Sequence, residues 1–323
     1  MSRATRRFKV TLVGLGRMGR RHARVLCALR DRFEVVGTYD VGPEAQPFEN
    51  IEPLGSDTEA VARGDVVVVA TPVEAHAKIA ARALAAGRHV LVEKPLCANA
   101  DDAYRLVASA RKGGARLFVG HSERFNPVVR ALARLLRGQQ LVSIDLRRVG
   151  PSRPNAGSAL VSFGVHDFDL VAYLGGGEVV FQSALGTSSH DSGEDFAHVL
   201  FHIGSGGIGH LHVDRCAPER QRTLVLATQH WVYEGDLLAH RLVRTSRRTS
   251  GPECARTEVP LPLEEPLHAQ AIALADALDG SAARELATGL DGARAVELAE
   301  RAVAQVACAP STGRAESLRR GPR

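Results

Sequence analysis

The chain has 323 residues, 45% apolar and 24% charged, with a formal net charge of +5; this composition excludes a disordered chain and the length predicts two domains, since one core stops growing at roughly 250 residues. No run approaches the ~20 apolar residues of a membrane span, and the excess charge lies largely in arginines near the two ends, without an aromatic-interleaved basic surface, which argues against nucleic acid. Five scattered cysteines without a CxxC pair point to neither a disulfide framework nor a zinc cluster.

The start, MSRATRRFKV, is basic but runs directly into a strand pattern with no apolar signal core, so a cytoplasmic protein is expected. The first 120 residues alternate β-branched runs with helical stretches: FKVTLVG (8–14), FEVVGTYD (33–40), DVVVVATP (65–72), RHVLVEKP (88–95) and ARLFVGH (115–121). Near-continuous apolar runs of this kind predict a parallel sheet covered by helices on both faces, a doubly wound Rossmann arrangement. Gly14, Gly16 and Gly19 form GLGRMG between the first strand and a helical stripe of Met18, His22, Val25 and Leu29. Glycine there permits a tight turn, close approach of a pyrophosphate, and seating of the helix on the sheet. Arg17 and Met18 lie in the same turn and are candidate cofactor contacts. Asp40 closes the second strand, 21 residues past Gly19, where a carboxylate can take ribose hydroxyls. A carboxylate repels the 2′-phosphate of NADP, and Val41 and Gly42 offer no arginine to hold one, so NAD is favoured over NADP. After Asn99, acidic residues 101–102, the stripe Ala103, Val107 and Ala110, and basic residues 111–112 predict a capped helix.

Beyond about residue 124 the strands become longer and more polar: LVSIDLRRV, EVVFQSALG, HVLFHIG followed by GIGHLHVD, and RTLVLATQHWVYEG. This change predicts a second, α+β domain on an open, mostly antiparallel sheet. The expected limits are 1–124 for the Rossmann domain and 125–310 for the second, with C-terminal helices packing back, and a disordered tail at 311–323. The SRRTSGP loop near residue 250 is also expected to be disordered. In LVSFGVHDFDLVAYLGGG, Ser162, His166, Asp169 and Tyr173 fall at i, i+4, i+7 and i+11 and share one helix face without lysine, glutamate or arginine. That face is expected to line a polar cleft. His198, His202, His210 and His212 flank a GSGG turn; a two-residue loop would set His202 opposite Gly209 and a three-residue loop opposite His210. No carboxylate or cysteine completes a ligand set at sensible spacing, so no metal is expected.

The ordered motifs GLGRMG, ATPVEAH, EKP, GHSERFNP and GVHDFDL resemble the glucose-fructose oxidoreductase, inositol dehydrogenase and MocA (Gfo/Idh/MocA) family along nearly the whole chain. The wording GHSERFNP and HDFDL is especially similar to the branch containing UDP-N-acetylglucosamine 3-dehydrogenases. The resemblance implies an NAD(P)-dependent oxidoreductase acting on a hydroxyl or keto group of a sugar, polyol or nucleotide-sugar. It assigns catalysis to Lys94, as the group that polarises the reacting hydroxyl, and to His166, as the acid/base. It places Thr71, Pro72, His76, Glu93 and Asn126 against the cofactor and Arg124 against substrate, where the shared helix face by itself also sets Ser162, Asp169 and Tyr173. It also implies a homo-oligomer, dimer or tetramer, through the second sheet. One departure stands out: many catalytic members carry aspartate four residues before the histidine, where this chain has Ser162. That substitution keeps two other readings open, an imine or ketone reductase in a biosynthetic pathway and a non-catalytic NAD-binding regulator.

Overall fold

The computed structural model describes residues 6–42, 48, 50–151, 157–188, 193–204, 206–247 and 255–308. The expected tail and most of the loop near residue 250 lie outside them. The first sheet is parallel and five-stranded, with β1 (Phe8–Val13), β2 (Phe33–Tyr39), β3 (Val66–Val69), β4 (His89–Val92) and β5 (Leu117–Val119) in the order β2-β1-β3-β4-β5. All four valines of β3 are fully buried. Alternation along the strand sends Val67 and Val69 into the core with helices α3 (Val73–Ala85) and α4 (Ala100–Gly113). Val66 and Val68 point the other way, into the core with α1 (Arg17–Ala28). The short α2 (Asp57–Arg63) starts at a Ser56 cap and completes the set. Burial on both faces is why these strands read as unbroken apolar runs. The Asn99 side chain caps α4 by accepting from the Asp102 amide, and Gly114 ends it in the left-handed region at φ 65°.

The second sheet holds β6 (Leu141–Val149), β7 (Val179–Thr187), β8 (Phe196–Ile203), β9 (Gly207–Asp214), β10 (Gln221–Thr228), β11 (Trp231–Asp236), β12 (Arg241–Ser246) and β13 (Arg256–Glu258). Their order is β13-β12-β11-β10-β6-β9-β8-β7, antiparallel except for the β6–β9 pair. Together the two sheets are the α/β architecture read from the sequence. The expected run RTLVLATQHWVYEG is two strands, because residues 229–230 turn back on themselves. Thr228 Oγ1 accepts from the His230 and Trp231 amides there.

One face of this sheet packs on α5 (Pro127–Leu135), α6 (Val165–Gly175) and part of α8 (Gly289–Cys308) around Leu132, Ile144, Phe168 and Leu211. The other face carries exposed Val142, Val180, Leu185, Leu200, Ile208 and Val225. Helix α7 (Pro266–Leu278) joins the core on the α1 side of the first sheet, and α8 contributes alanines to the cores of both sheets, tying them together. The β8–β9 register departs from both readings of the hairpin. His202 faces Ile208, His198 faces His212 and Leu200 faces His210, because Ile203 pairs with Gly207. No group of three or more His, Cys, Asp or Glu side chains among the described residues is disposed to hold a metal ion.

Candidate active site

A groove of about 1160 Å³ runs along the carboxyl ends of the first sheet. Gly14, Gly16, Arg17, Met18, Asp40, Thr71, Pro72, Glu93 and Lys94 line it, which brings together most of the residues expected to hold the cofactor. Gly14 stands at φ 98°, and a Cβ there would lie 2.6 Å from the Ala70 backbone. A Cβ on Gly19 would lie 1.8 Å from the Gly14 carbonyl oxygen, so helix α1 can seat this close only without a side chain. Over Gly16 the opposite holds: an added Cβ would meet nothing within 4 Å. That open cradle, at the N-terminus of α1, is where backbone amides can take a pyrophosphate. Asp40 fixes the loops on either side by accepting from the amides of Leu15 at 2.5 Å and Gly42 at 2.8 Å. Thr71 Oγ1 is buried in the groove with no partner among the described residues. The cradle and the waiting hydroxyl fit a dinucleotide.

A second cavity, of about 480 Å³, adjoins the groove. Arg17, Met18, Glu93 and Lys94 line both spaces, while Ser162 and His166 belong to the second alone. Residues 94 and 166 thus open onto one cavity although 72 positions separate them in the chain. Glu93 and Lys94 follow β4 directly, and the Lys94–Pro95 peptide is cis. Buried Glu93 bonds His22 Nε2 at 2.7 Å. Burial penalises its charge, but His22 and Lys94 outweigh that and hold the carboxyl below its ordinary range. The Lys94 ammonium donates to the Ser162 carbonyl oxygen at 3.2 Å. Burial, only partly offset by Glu93, brings its pKa down to about 8, with Arg148, Arg222 and Arg17 pressing in the same direction.

His166 sits at the start of α6, just after a π-helical turn over Leu160–Gly164. Desolvation first, then Lys94 and Arg148, push its imidazole well below the usual histidine range. Its Nδ1 is buried without a hydrogen-bond partner among the described residues, as is Ser162 Oγ. Neither neighbouring aspartate reaches it. Asp167 takes both ends of the Arg148 guanidinium, at 2.7 and 2.9 Å. The buried His121 ring stands edge-on to that of His166, with ring centroids 6.4 Å apart.

Three residues expected against substrate lie elsewhere. Asp169 holds Arg124 in a buried bidentate pair at 2.8 and 2.6 Å, and the Arg124 guanidinium lies 4.8 Å over the Tyr173 ring. Only the first turn of the anticipated helix face reaches the cavity; the next two pass beneath the 3-10 turn Ser122–Phe125 that carries Arg124. Two expected cofactor contacts are displaced as well. His76 is buried behind the groove between the carbonyl oxygens of Pro95 and Thr71, each 2.9 Å away. Asn126 caps α5 by accepting from the Val128 amide and donates to the Leu237 carbonyl oxygen.

Sequence reasoning passed over the basic wall of the second cavity, formed by Arg21, Arg148, Arg220 and Arg222. A signal was available. Arg148 shares strand parity with Ile144 and Leu146, and Arg222 with Leu224 and Leu226, so both fall at core positions where arginine needs a partner.

A glycine turn, an acidic second-strand end and a lysine shared between two cavities define a dinucleotide-binding oxidoreductase. Comparison with known proteins agrees. Residues 8–121 match the profile described as "Oxidoreductase family, NAD-binding Rossmann fold", and residues 103–233 match the Gfo/Idh/MocA C-terminal domain. Inositol 2-dehydrogenase 1 of Paenarthrobacter aurescens is 33% identical over 227 residues, 65% of this chain and 67% of its own. The UDP-N-acetylglucosamine 3-dehydrogenase of Acidithiobacillus ferrooxidans is 25% identical over 247 residues, 73% and 76% of the two chains. Its solved structure superposes with a TM-score of 0.86 over 93% of this chain and 98% of that one, at 23% identity. GenD2 from gentamicin A biosynthesis, solved with NAD, gives a TM-score of 0.78 at 27% identity over 95% and 96%. The chain belongs to the Gfo/Idh/MocA oxidoreductase family, and its first sheet is an NAD-binding Rossmann domain.

Proposed function

We propose that this protein is an NAD-dependent dehydrogenase that interconverts a secondary hydroxyl and a ketone on a sugar, polyol or nucleotide-linked sugar. The observation that carries the reading is that Lys94 lines both the dinucleotide groove and the cavity that holds His166. When bound, NAD supplies the hydride acceptor, or NADH the donor, beside that cavity. Lys94 is then placed to hold the reacting oxygen and to stabilise negative charge on it. His166, kept neutral by its surroundings, can take the hydroxyl proton in oxidation, and once protonated can return it in reduction. Asp40 supports NAD over NADP, since its carboxylate faces the groove with no arginine at positions 41–42. The apolar outer face of the second sheet supports a homo-oligomer.

The relatives divide between a nucleotide-sugar and a cyclitol substrate, as their names state. The deciding experiment incubates the purified protein with NAD and a panel of sugars, inositols and UDP-sugars and follows nicotinamide absorbance. Turnover of at least one hydroxylated substrate, stoichiometric with a ketone product, is expected. A protein that binds NADH yet oxidises no member of the panel and reduces none of the corresponding ketones would be a sensor rather than a dehydrogenase.

A further inference from the structure

We infer that the open end of the second cavity is a subsite for an oxyanion, a phosphate or carboxylate, carried by the substrate at the end remote from its reacting hydroxyl. The inference rests on the dehydrogenase reading for the location of the reacting groups, and on the cavity's charge for the rest.

The cavity is lined by six cationic side chains, Arg17, Arg21, Lys94, Arg148, Arg220 and Arg222, against two carboxylates, Glu93 and Glu123. Arg148 and Arg222 are direct cross-strand partners on β6 and β10. Like charges so placed repel. Asp167 and Glu123 relieve them from inside the protein: Asp167 grips Arg148 at both ends, and Glu123 accepts from Arg222 at 2.7 Å. Glu93 is already engaged with His22 and adjoins Lys94. The internal acids are therefore spent on Arg148, Arg222 and Lys94, leaving Arg17, Arg21 and Arg220 with no carboxylate within 4 Å among the described residues.

The three remaining guanidinium groups have distinct places. Arg17 also lines the dinucleotide groove, where it is open to the cofactor phosphates. Arg21, one helical turn on, and Arg220 are exposed at the solvent end, whereas Lys94 and His166 are half-buried further in. The stem of Arg220 lies on Gly150, which stands at φ 153°; a Cβ there would come within 2.8 Å of Arg220 Cγ. With its stem against Gly150, Arg220 lines the cavity. The surplus positive field also shows in its neighbours. Burial and then Arg148 pull Arg222 below its ordinary pKa, and Arg148 and Arg222 act in the same downward direction on both Lys94 and His166. An oxyanion between Arg220, Arg222 and Arg21 would accept charge-assisted hydrogen bonds that the protein's own acids leave unmade.

The test has a binding arm and a kinetic arm. In the first, inorganic pyrophosphate is titrated by calorimetry into protein saturated with NADH, so that the cofactor's phosphates already occupy their own site. Saturable binding is expected, weakened at least tenfold in the Arg21→Ala/Arg220→Ala double variant. Because both arginines are exposed and unpaired, the thermal midpoint should not move. No binding to the NADH-loaded protein, or equal binding by the variant, overturns the subsite. In the second arm, sugars bearing a phosphate, a nucleoside diphosphate or a carboxylate are compared with the uncharged sugar of the same ring. One charged class is expected to exceed the neutral sugar at least a hundredfold in kcat/KM. The double variant should shrink that ratio tenfold or more, and Arg220→Lys should restore part of it. The best class identifies the oxyanion; a neutral sugar turned over as well as its charged counterparts overturns the inference while leaving the dehydrogenase reading intact. Pyrophosphate binding that depends on Arg21 and Arg220, without turnover of any sugar, overturns the dehydrogenase reading and leaves the subsite standing.

Discussion

The Lys94 ammonium reaches across from the end of β4 to donate to the carbonyl oxygen of Ser162, 68 residues on, at 3.2 Å. This bond joins the dinucleotide sheet to the π-helical turn that precedes His166. Under the proposed mechanism the ammonium would share its remaining hydrogen bonds with a substrate oxygen. Lys94→Ala is expected to lower kcat by about 10²–10⁴-fold, the range for loss of a positioned proton-transfer or charge-stabilising group. NADH affinity, measured by fluorescence titration, should change no more than a few-fold. Equal losses of affinity and turnover would make Lys94 a cofactor ligand.

The cavity's charge predicts the pH profile. In the proposed mechanism Lys94 would act as the ammonium, which persists below its lowered pKa of about 8 and is lost as pH rises through that value. In the same mechanism His166 would act in oxidation as the neutral imidazole, present above its strongly depressed pKa. The kcat/KM for oxidation should therefore stay level as pH falls through 6.5, the ordinary histidine value, and decline above about pH 8. An acid limb centred near 6.5 would show that His166 is not the base or is not desolvated in the free enzyme.

Asp169 and Arg124 offer a test of support against recognition. The pair is buried, bidentate and backed by Tyr173. Removing one member strands a charge in the core, at a cost of about 3–5 kcal/mol. Asp169→Ala should therefore lower the thermal midpoint by several degrees, and Arg124→Met combined with Asp169→Leu should recover part of the loss. A variant of unchanged stability with a raised substrate KM would return Asp169 to the substrate site.

The glycine turn separates folding from binding. Gly19→Ala drives its Cβ against the Gly14 carbonyl oxygen, a backbone group that cannot swing aside, and should destabilise by about 1–3 kcal/mol. Gly16→Ala introduces a methyl where the protein itself has open space, so stability should hold while NADH affinity falls at least tenfold. Denaturant midpoints and NADH titrations on both variants check the contrast. A Gly16→Ala protein that binds NADH normally would remove the cradle from the cofactor site.

Features governed by short-range geometry were legible in the sequence. The GLGRMG turn and the Asn99 cap each depend on residues a few positions apart, where backbone angles and hydrogen-bond reach leave few options, and Asp40 is located by its fixed spacing from that turn. Periodicity also placed Ser162 and His166 together. It could not say how far along α6 the cavity extends, so Asp169 and Tyr173 were assigned to a face that lines the cavity only at its first turn. The β8–β9 register turned on a single residue of the hairpin, a shift that exchanges every cross-strand partner. What only the tertiary structure decided was which charge meets which. Arg124 finds Asp169 across 45 residues, and Arg222 finds Glu123 across 99. A carboxylate's effect on a distant cation depends on separation in space and on shielding from water, and neither is written in the order of the residues.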